Sequence, residues 1–288
     1  MKAKFKRVYK LKVGKANGKG IEIAPPFHIE FDVSKDTDEK PNVHSVRIYN
    51  LKKETMDQLS KPDQFCVLYA GYEFEDGAIL LAAGNIEETY IKRTEKDVIF
   101  NIDFLDGWVA IRDTAVSLGY ANGISAKAII KEIANQMGLS LMMNENLPDR
   151  VWRHGFSFYG AAHQALHKVV RGAGLEWSIQ NNTLQIIKEG STTSRKAVVF
   201  NSESGMLGSP ERIRISAKEK KNKNQKKGGR QEKNGWKIRS LLTPQVNAGD
   251  RIKIESKDVS GFFRVDNVKH SGNFSGNRWE TIMEVRDV

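Results

Sequence analysis

Between residues 241 and 288 the chain reads as three short strands cut apart by turn residues, and that pattern commits this part of it to β structure. RIKIES alternates apolar and polar side chains after the punctuation of Pro244 and Gly249-Asp250. Gly261 breaks the run, GFFRVDNVKH resumes it, and RWETIMEV closes it beyond a Gly/Asn-rich stretch. Period-two alternation bounded by Gly, Asn and Pro predicts a small antiparallel sheet or barrel.

The same grammar fills residues 1–110. FKRVYKLKVG, FHIEFDVSKD, VHSVRIYNL and QFCVLYAGYE each alternate, AILLAAGNIEETYIKRTE reads as a fifth and sixth strand, and DVIFNIDFLDG as a seventh. A short helix is expected in KKETMDQLS, where Met56 and Leu59 are three apart. Strands at this spacing suggest a sandwich or barrel. Residues 111–200 change character. Ile129, Ile130, Ile133 and Met137 share one face of a helix that starts at Ser125 and stops at Gly138. Ala162, Leu166, Val169 and Val170 do the same in a second helix stopping at Gly172 and Gly174, and LEWSIQ-NN-TLQIIK reads as a hairpin around Asn181-Asn182. The expected division is a first β-barrel domain over 1–110, an α+β module over 111–200, and a second β-barrel domain over 201–288 with a basic loop at 217–235. The fold class is therefore α+β, mainly β.

Charge is unevenly spread. Residues 1–20 carry +8 and residues 218–233 carry +6, against +11 for all 288 residues, so the rest of the chain is slightly acidic. A protein built to grip duplex DNA more often spreads Lys/Arg over a folded face. The basic run between the strands ERIRIS and GWKIRSLL has no apolar residue, which predicts a long flexible loop. It also lacks interleaved aromatics, which argues against a base-stacking platform. Its cations, Lys218, Lys220, Lys221, Lys223, Lys226, Lys227, Arg230 and Lys233, together with Trp236, are the candidate partner-binding residues. Trp236 and Trp152 flank polar loops as possible interface anchors, although core is the better reading for both; Trp177 and Trp279 fall in strand patterns and read as core. No stretch approaches the roughly 18 apolar residues of a membrane helix, and the N-terminus lacks the apolar region of a secretory signal. The single cysteine, Cys66, lies in a strand-like run and reads as a buried thiol.

Catalytic chemistry finds little footing. His163 and His167 share a helix face at metal-ligand spacing, but Gln164 stands where a zinc protease needs Glu, and no third ligand is suitably spaced. There is no Gly-x-Ser-x-Gly elbow. GKANGKG at 14–20 lacks the Lys-Ser/Thr ending of a phosphate loop and reads as a turn. Glu87-Glu88 and Asp103/Asp106 are carboxylate pairs, all in or beside alternating strands where outward polar positions are expected. No catalytic, metal or cofactor residue is assigned.

Several segments, in this order, resemble the baseplate hub proteins of contractile-tailed phages, the group that includes late control protein D. They are VRIYNLKKETMDQL, VLYAGYE, GNIEETYIKRTEKDVIFNIDFLDG, SAKAIIKEIANQMGL, FYGAAHQALHKVVRGAGLEWSIQNNTLQII and LLTPQVNAGDRIKI with FFRVDNVKHSGN and Trp279. The lysine-rich loop is not part of the pattern. The resemblance implies two tail-tube-like barrels and no enzymatic activity. It also implies a homotrimeric ring that adapts a sixfold tail tube to a threefold central spike. Implied partners are the tail tube protein, the central spike protein, other baseplate proteins and the tape-measure protein, with genome DNA only in transit and no stable membrane insertion. The implied location is the virion tail baseplate, assembled in the bacterial host cytoplasm. The competing reading is a nucleic-acid-binding β-rich protein using segments 1–20 and 218–233; a weaker one is a metal hydrolase at His163 and His167.

Overall fold

The computed structural model describes residues 4–15, 18, 20–216 and 232–288. The first strands are β1 (Arg7–Gly14), β2 (Ile21–Ile23), β3 (Ile29–Asp36) and β4 (Val43–Tyr49). Helix α1 (Lys53–Leu59) leads into β5 (Phe65–Tyr72), β6 (Gly77–Arg93) and β7 (Val98–Leu105). Alternation drives this half inward: along β3, Ile29, Phe31 and Val33 are buried while Glu30 and Asp32 face outward. AILLAAGNIEETYIKRTE forms one 17-residue strand, β6, rather than the two expected. Gly84 is not a turn there. A Cβ on it would sit 2.3 Å from the Leu105 carbonyl oxygen, so glycine is required by the close approach of β7, and a bulge between Ile86 and Glu88 bends the strand instead.

The α+β module comprises α2 (Trp108–Asp113), β8 (Ala115–Tyr120), β9 (Ile124–Ser125), α3 (Ala126–Gln136), β10 (Ser140–Met143), β11 (Val151–Trp152), β12 (Phe156–Ala161), α4 (Ala162–Gly172), β13 (Leu175–Gln180) and β14 (Thr183–Lys188). Ser125 caps α3, its side chain accepting from the Ala128 N–H at 3.1 Å. Asn181 (φ 53°) and Asn182 (φ 59°) make the left-handed turn of the β13–β14 hairpin. The apolar faces of α3 and α4 pack with Trp177, Ile179, Leu184 and Ile186 in a core of their own, against which Trp152 is half-buried.

The second β half contains β15 (Val198–Phe200), β16 (Glu211–Ser216), β17 (Glu232–Leu241), β18 (Arg251–Glu255), β19 (Ser260–Asn273) and β20 (Trp279–Asp287). The lysine run expected as a flexible loop lies outside the described residues for 217–231. Residues 232–235, expected within that loop, are strand: β17 pairs with β16 from Ser216↔Glu232 onward and with β20 from Gly235↔Arg286. Trp236, on β17, is half-buried against the core of this half.

The two halves share one thirteen-stranded sheet, ordered β16-β17-β20-β19-β3-β4-β7-β6-β5-β1-β2, with β18 joined to β19 and β15 to β18. The junction is the β19–β3 ladder, from Asn267↔Asp36 to Asn273↔Glu30. It is reinforced by apolar exchange: Trp279 and Leu242 of the second half are buried in the core of the first. The Trp279 ring meets Phe31 edge-on at 5.1 Å. Among the described residues no helix is long and apolar enough to cross a membrane.

Candidate functional site

Three inward-facing rows in the first half of the sheet change character at the same end. Along β3 the row Ile29, Phe31, Val33 continues to Lys35. Along β7 the row Phe100, Ile102, Phe104 continues to Asp106, and on β4 the row Ile48, Val46 ends at His44. His270 on β19 is the cross-strand partner of Val33. All four polar side chains are buried. Strand alternation assigned Asp106 to an outward position; the structure corrects this. Asp106 is in phase with the buried row and is covered by the α+β module.

These groups form the joint between the three parts of the chain. Lys35 Nζ donates to Asn181 Oδ1 at 2.7 Å and to Asn247 Oδ1 at 2.7 Å, so one ammonium group ties the first half to the module hairpin and to the second half. Asp106 accepts from Asn42 Nδ2 at 3.1 Å and from the Asn181 N–H at 3.2 Å, and His44 Nε2 lies 3.4 Å from its other oxygen. Asn42 also donates to the Ile179 carbonyl at 2.8 Å. On the far side Asp250 accepts from Thr193 Oγ1 at 2.6 Å, pairs with Arg195 at 3.3 Å and holds the Asn247 N–H at 2.9 Å. The buried Arg264 pairs with Glu176 and Asp266 and donates to the Ser191 carbonyl at 2.8 Å. Burial pulls the Lys35 pKa down to about 8. Burial, with the charge of Lys35 adding to it, holds His270 well below the usual histidine range. Sequence reasoning missed this joint. Its signal was present in the ionisable residues that fall in phase with the apolar rows IxFxVxK and FxIxFxD.

On the opposite face of the sheet a polar row crosses the junction between the halves. One cross-strand row links Glu88, Asp103, Ser45, Asp32, Ser271 and Glu280 across six strands. Burial raises the Asp103 pKa, and the neighbouring Glu88 and Glu87 raise it further. Burial acts to raise Asp32 as well, but hydrogen bonds from Ser271 and Arg47 win and lower it. Arg47 bridges Glu30 at 2.9 Å and Asp32 at 3.1 Å, and Lys269 reaches Asp32 at 3.5 Å. The carboxylates of this face are thus partly neutralised without the face becoming cationic.

The other singled-out residues are dispersed. Lys218, Lys220, Lys221, Lys223, Lys226, Lys227 and Arg230 lie outside the described residues, and Lys233 is in β17. Within segment 1–20, Lys6 pairs with Glu73 at 3.4 Å, and Lys10 and Lys12 with Glu22 at 3.6 and 3.7 Å. His163 Nδ1 donates to the Ile111 carbonyl at 3.2 Å; His167 pairs with Glu39 and accepts from Arg171 at 3.3 Å. Both histidines therefore tie α4 to its neighbours. Among the described residues no group of three His, Cys, Asp or Glu is placed to hold a metal. Cys66 is buried, and burial pushes its thiol up.

Solved structures share this fold over essentially the whole chain. The 43 kDa tail protein of prophage MuSo2 from Shewanella oneidensis matches with a TM-score of 0.65 at 10% identity, covering 97% of this chain and 98% of its own. A tail protein from Neisseria meningitidis MC58 matches with a TM-score of 0.65 at 11% identity, covering 98% and 97%. An E. coli component of the type VI secretion system, described as structurally similar to the bacteriophage T4 tail proteins gp27 and gp5, matches with a TM-score of 0.58 at 10% identity, covering 97% and 77%. No protein-family profile and no curated sequence matches the chain. The chain has the mainly β, α+β fold of phage tail proteins.

Proposed function

We propose that this chain is a structural baseplate hub of a phage or phage-like contractile tail, forming a trimeric ring between a sixfold tail tube and a threefold central spike. The observation that carries the reading is the extent of the fold match, 97–98% of this chain and of each of two tail proteins, with two β halves fused in one sheet. A chain with two such halves supplies six β units per trimer, which is how a threefold ring can face a sixfold tube. The role is non-enzymatic. The division at 1–110, 111–200 and 201–288 is read as two barrel-like units and a module locked to them by the Lys35–Asp106 joint. Partners are the tail tube protein, the central spike protein, other baseplate proteins and the tape-measure protein. The location is the tail baseplate of the virion, with assembly in the host cytoplasm.

In this reading the polar sheet face bearing Glu88, Asp103, Asp32 and Glu280 lines the channel. Carboxylates there repel passing DNA, whereas dense Lys/Arg would hold it by phosphate contacts. The cations of 218–233, with Trp236, contact partners away from the lumen. Permanent contacts between copies bury more than roughly 2,000 Å² per interface. The test is the symmetry of this chain in an assembled tail: a threefold ring is expected, and a sixfold ring or a lone copy would overturn the reading.

A further inference from the structure

Where the two halves meet, a cleft of about 930 Å³ opens between the N-terminal strand with Tyr72 and Glu73 on one side and Leu207, Leu241 and the 274–280 segment on the other. Its lining is cationic. Lys4, Lys6, Arg7, Arg239 and Arg278 contribute five positive charges, against the carboxylates of Glu73 and Glu280. Glu280 is shared by two arginines, Arg239 at 2.8 Å and Arg278 at 3.9 Å, and Glu73 is taken by Lys6. Lys4 Nζ donates to the Thr243 hydroxyl at 2.7 Å and feels the charge of Glu75, which still leaves five cations against three carboxylates. The positive charge is therefore incompletely compensated among the described residues.

Apolar surface lies beside this charge. Phe5 and Phe74 stack on each other with centroids 6.1 Å apart, yet are 64% and 51% exposed, and Leu207 is 39% exposed. Deeper in the wall Trp279 is buried, and its indole N–H has no hydrogen-bond partner among the described residues. A second hollow of about 530 Å³ shares Lys4 and Leu241 with the first and reaches the edge strand β15.

We infer that this cleft is a docking site for an acidic segment of a partner protein chain that carries an aromatic or leucine anchor. Charge complementarity selects the acidic partner, and the exposed Phe5–Phe74 pair with Leu207 selects the apolar anchor. A polypeptide fits better than a nucleic acid. Phe5 and Phe74 already stack on each other, and Glu73 and Glu280 oppose a phosphate chain, charged at every unit, more than a segment that mixes acidic and apolar residues. The inference stands on the cleft alone and does not depend on the ring.

The test is selection from a randomised peptide library against the intact chain, followed by affinity measurement on the chain and its variants. Selected peptides should be rich in Asp and Glu and carry one aromatic or leucine. Lys6 and Arg278 have side chains 55% and 61% exposed and Glu280 keeps Arg239, so Lys6→Glu with Arg278→Glu should keep the thermal melt. That double variant should weaken the selected peptides by about tenfold or more, as two reversed surface charges require. Phe5→Ser should weaken them too, and added salt should weaken binding to the unaltered chain, a readout independent of any variant. Neutral or basic selected peptides, affinity indifferent to the charge reversal and to salt, or displacement of the peptides by a single-stranded oligonucleotide would each overturn the inference.

Discussion

Lys35 is buried among amide oxygens at the point where three parts of the chain meet, and its environment gives it a measurable signature. Its pKa falls from 10.5 to about 8 because burial disfavours the ammonium form. Below about pH 8 both folded and unfolded chains hold the proton, and folding bears the full cost, on the order of 3 kcal/mol. Between about 8 and 10.5 the unfolded chain binds the proton that the folded chain has released, so this residue's contribution to stability rises with pH. Urea unfolding at neutral pH and near pH 10 should show the native chain gaining stability relative to Lys35→Met; no relative gain would contradict the buried-lysine assignment. His163 and His167 make the opposite prediction. The His167–Glu39 contact is 41% and 35% exposed on its two sides, and exposed pairs contribute about 0–1 kcal/mol. His163→Ala with His167→Ala should shift the melt only slightly, and purified protein should carry no stoichiometric zinc. A zinc content lost in the double variant would restore the metal reading.

At the scale of elements, the hairpin of β16 and β17 sits at one edge of the sheet, and its paired residues end at Ser216↔Glu232. Replacing residues 217–231 by a short Asn-Gly turn should leave cooperative melting intact, because loop-closure cost changes by only about 0.6 kcal/mol per doubling of length. Loss of the cooperative transition would make the segment structural; a kept transition with failed particle assembly would make it a partner contact. Strands whose one face meets the core were legible in the sequence, since β3, β4, β18 and β20 alternate cleanly between buried and less buried positions. The ribbon of β8 and β12 was not. Val116, Leu118 and Tyr120 alternate with Ser117 and Gly119, but the outward positions of the two short runs are small or aromatic rather than charged, so the contrast between faces is weak. The long β6 was read as two strands because Gly84-Asn85 has the composition of a turn, while its role is a close backbone approach. The polar joint was hidden for a different reason. Alternation tells which face a residue shares, and here the buried face itself turns polar where Asn181 and Asn247 arrive from distant sequence.

At the scale of the whole molecule, the β19–β3 ladder and the shared core make the two halves one body, with a polar row crossing the junction on one side of the sheet. A rigid pair of units with sheet edges at β2, β15 and β16 suits a closed ring in which one heterologous contact repeats. A reconstruction of the assembled tail shows directly how many copies of this chain sit around the axis and which sheet face meets the channel. Three copies in a ring are expected, with Asp32, Asp103, Glu88 and Glu280 facing the channel. A ring of six copies, a single copy, or that carboxylate row turned outward against other tail proteins would contradict this arrangement.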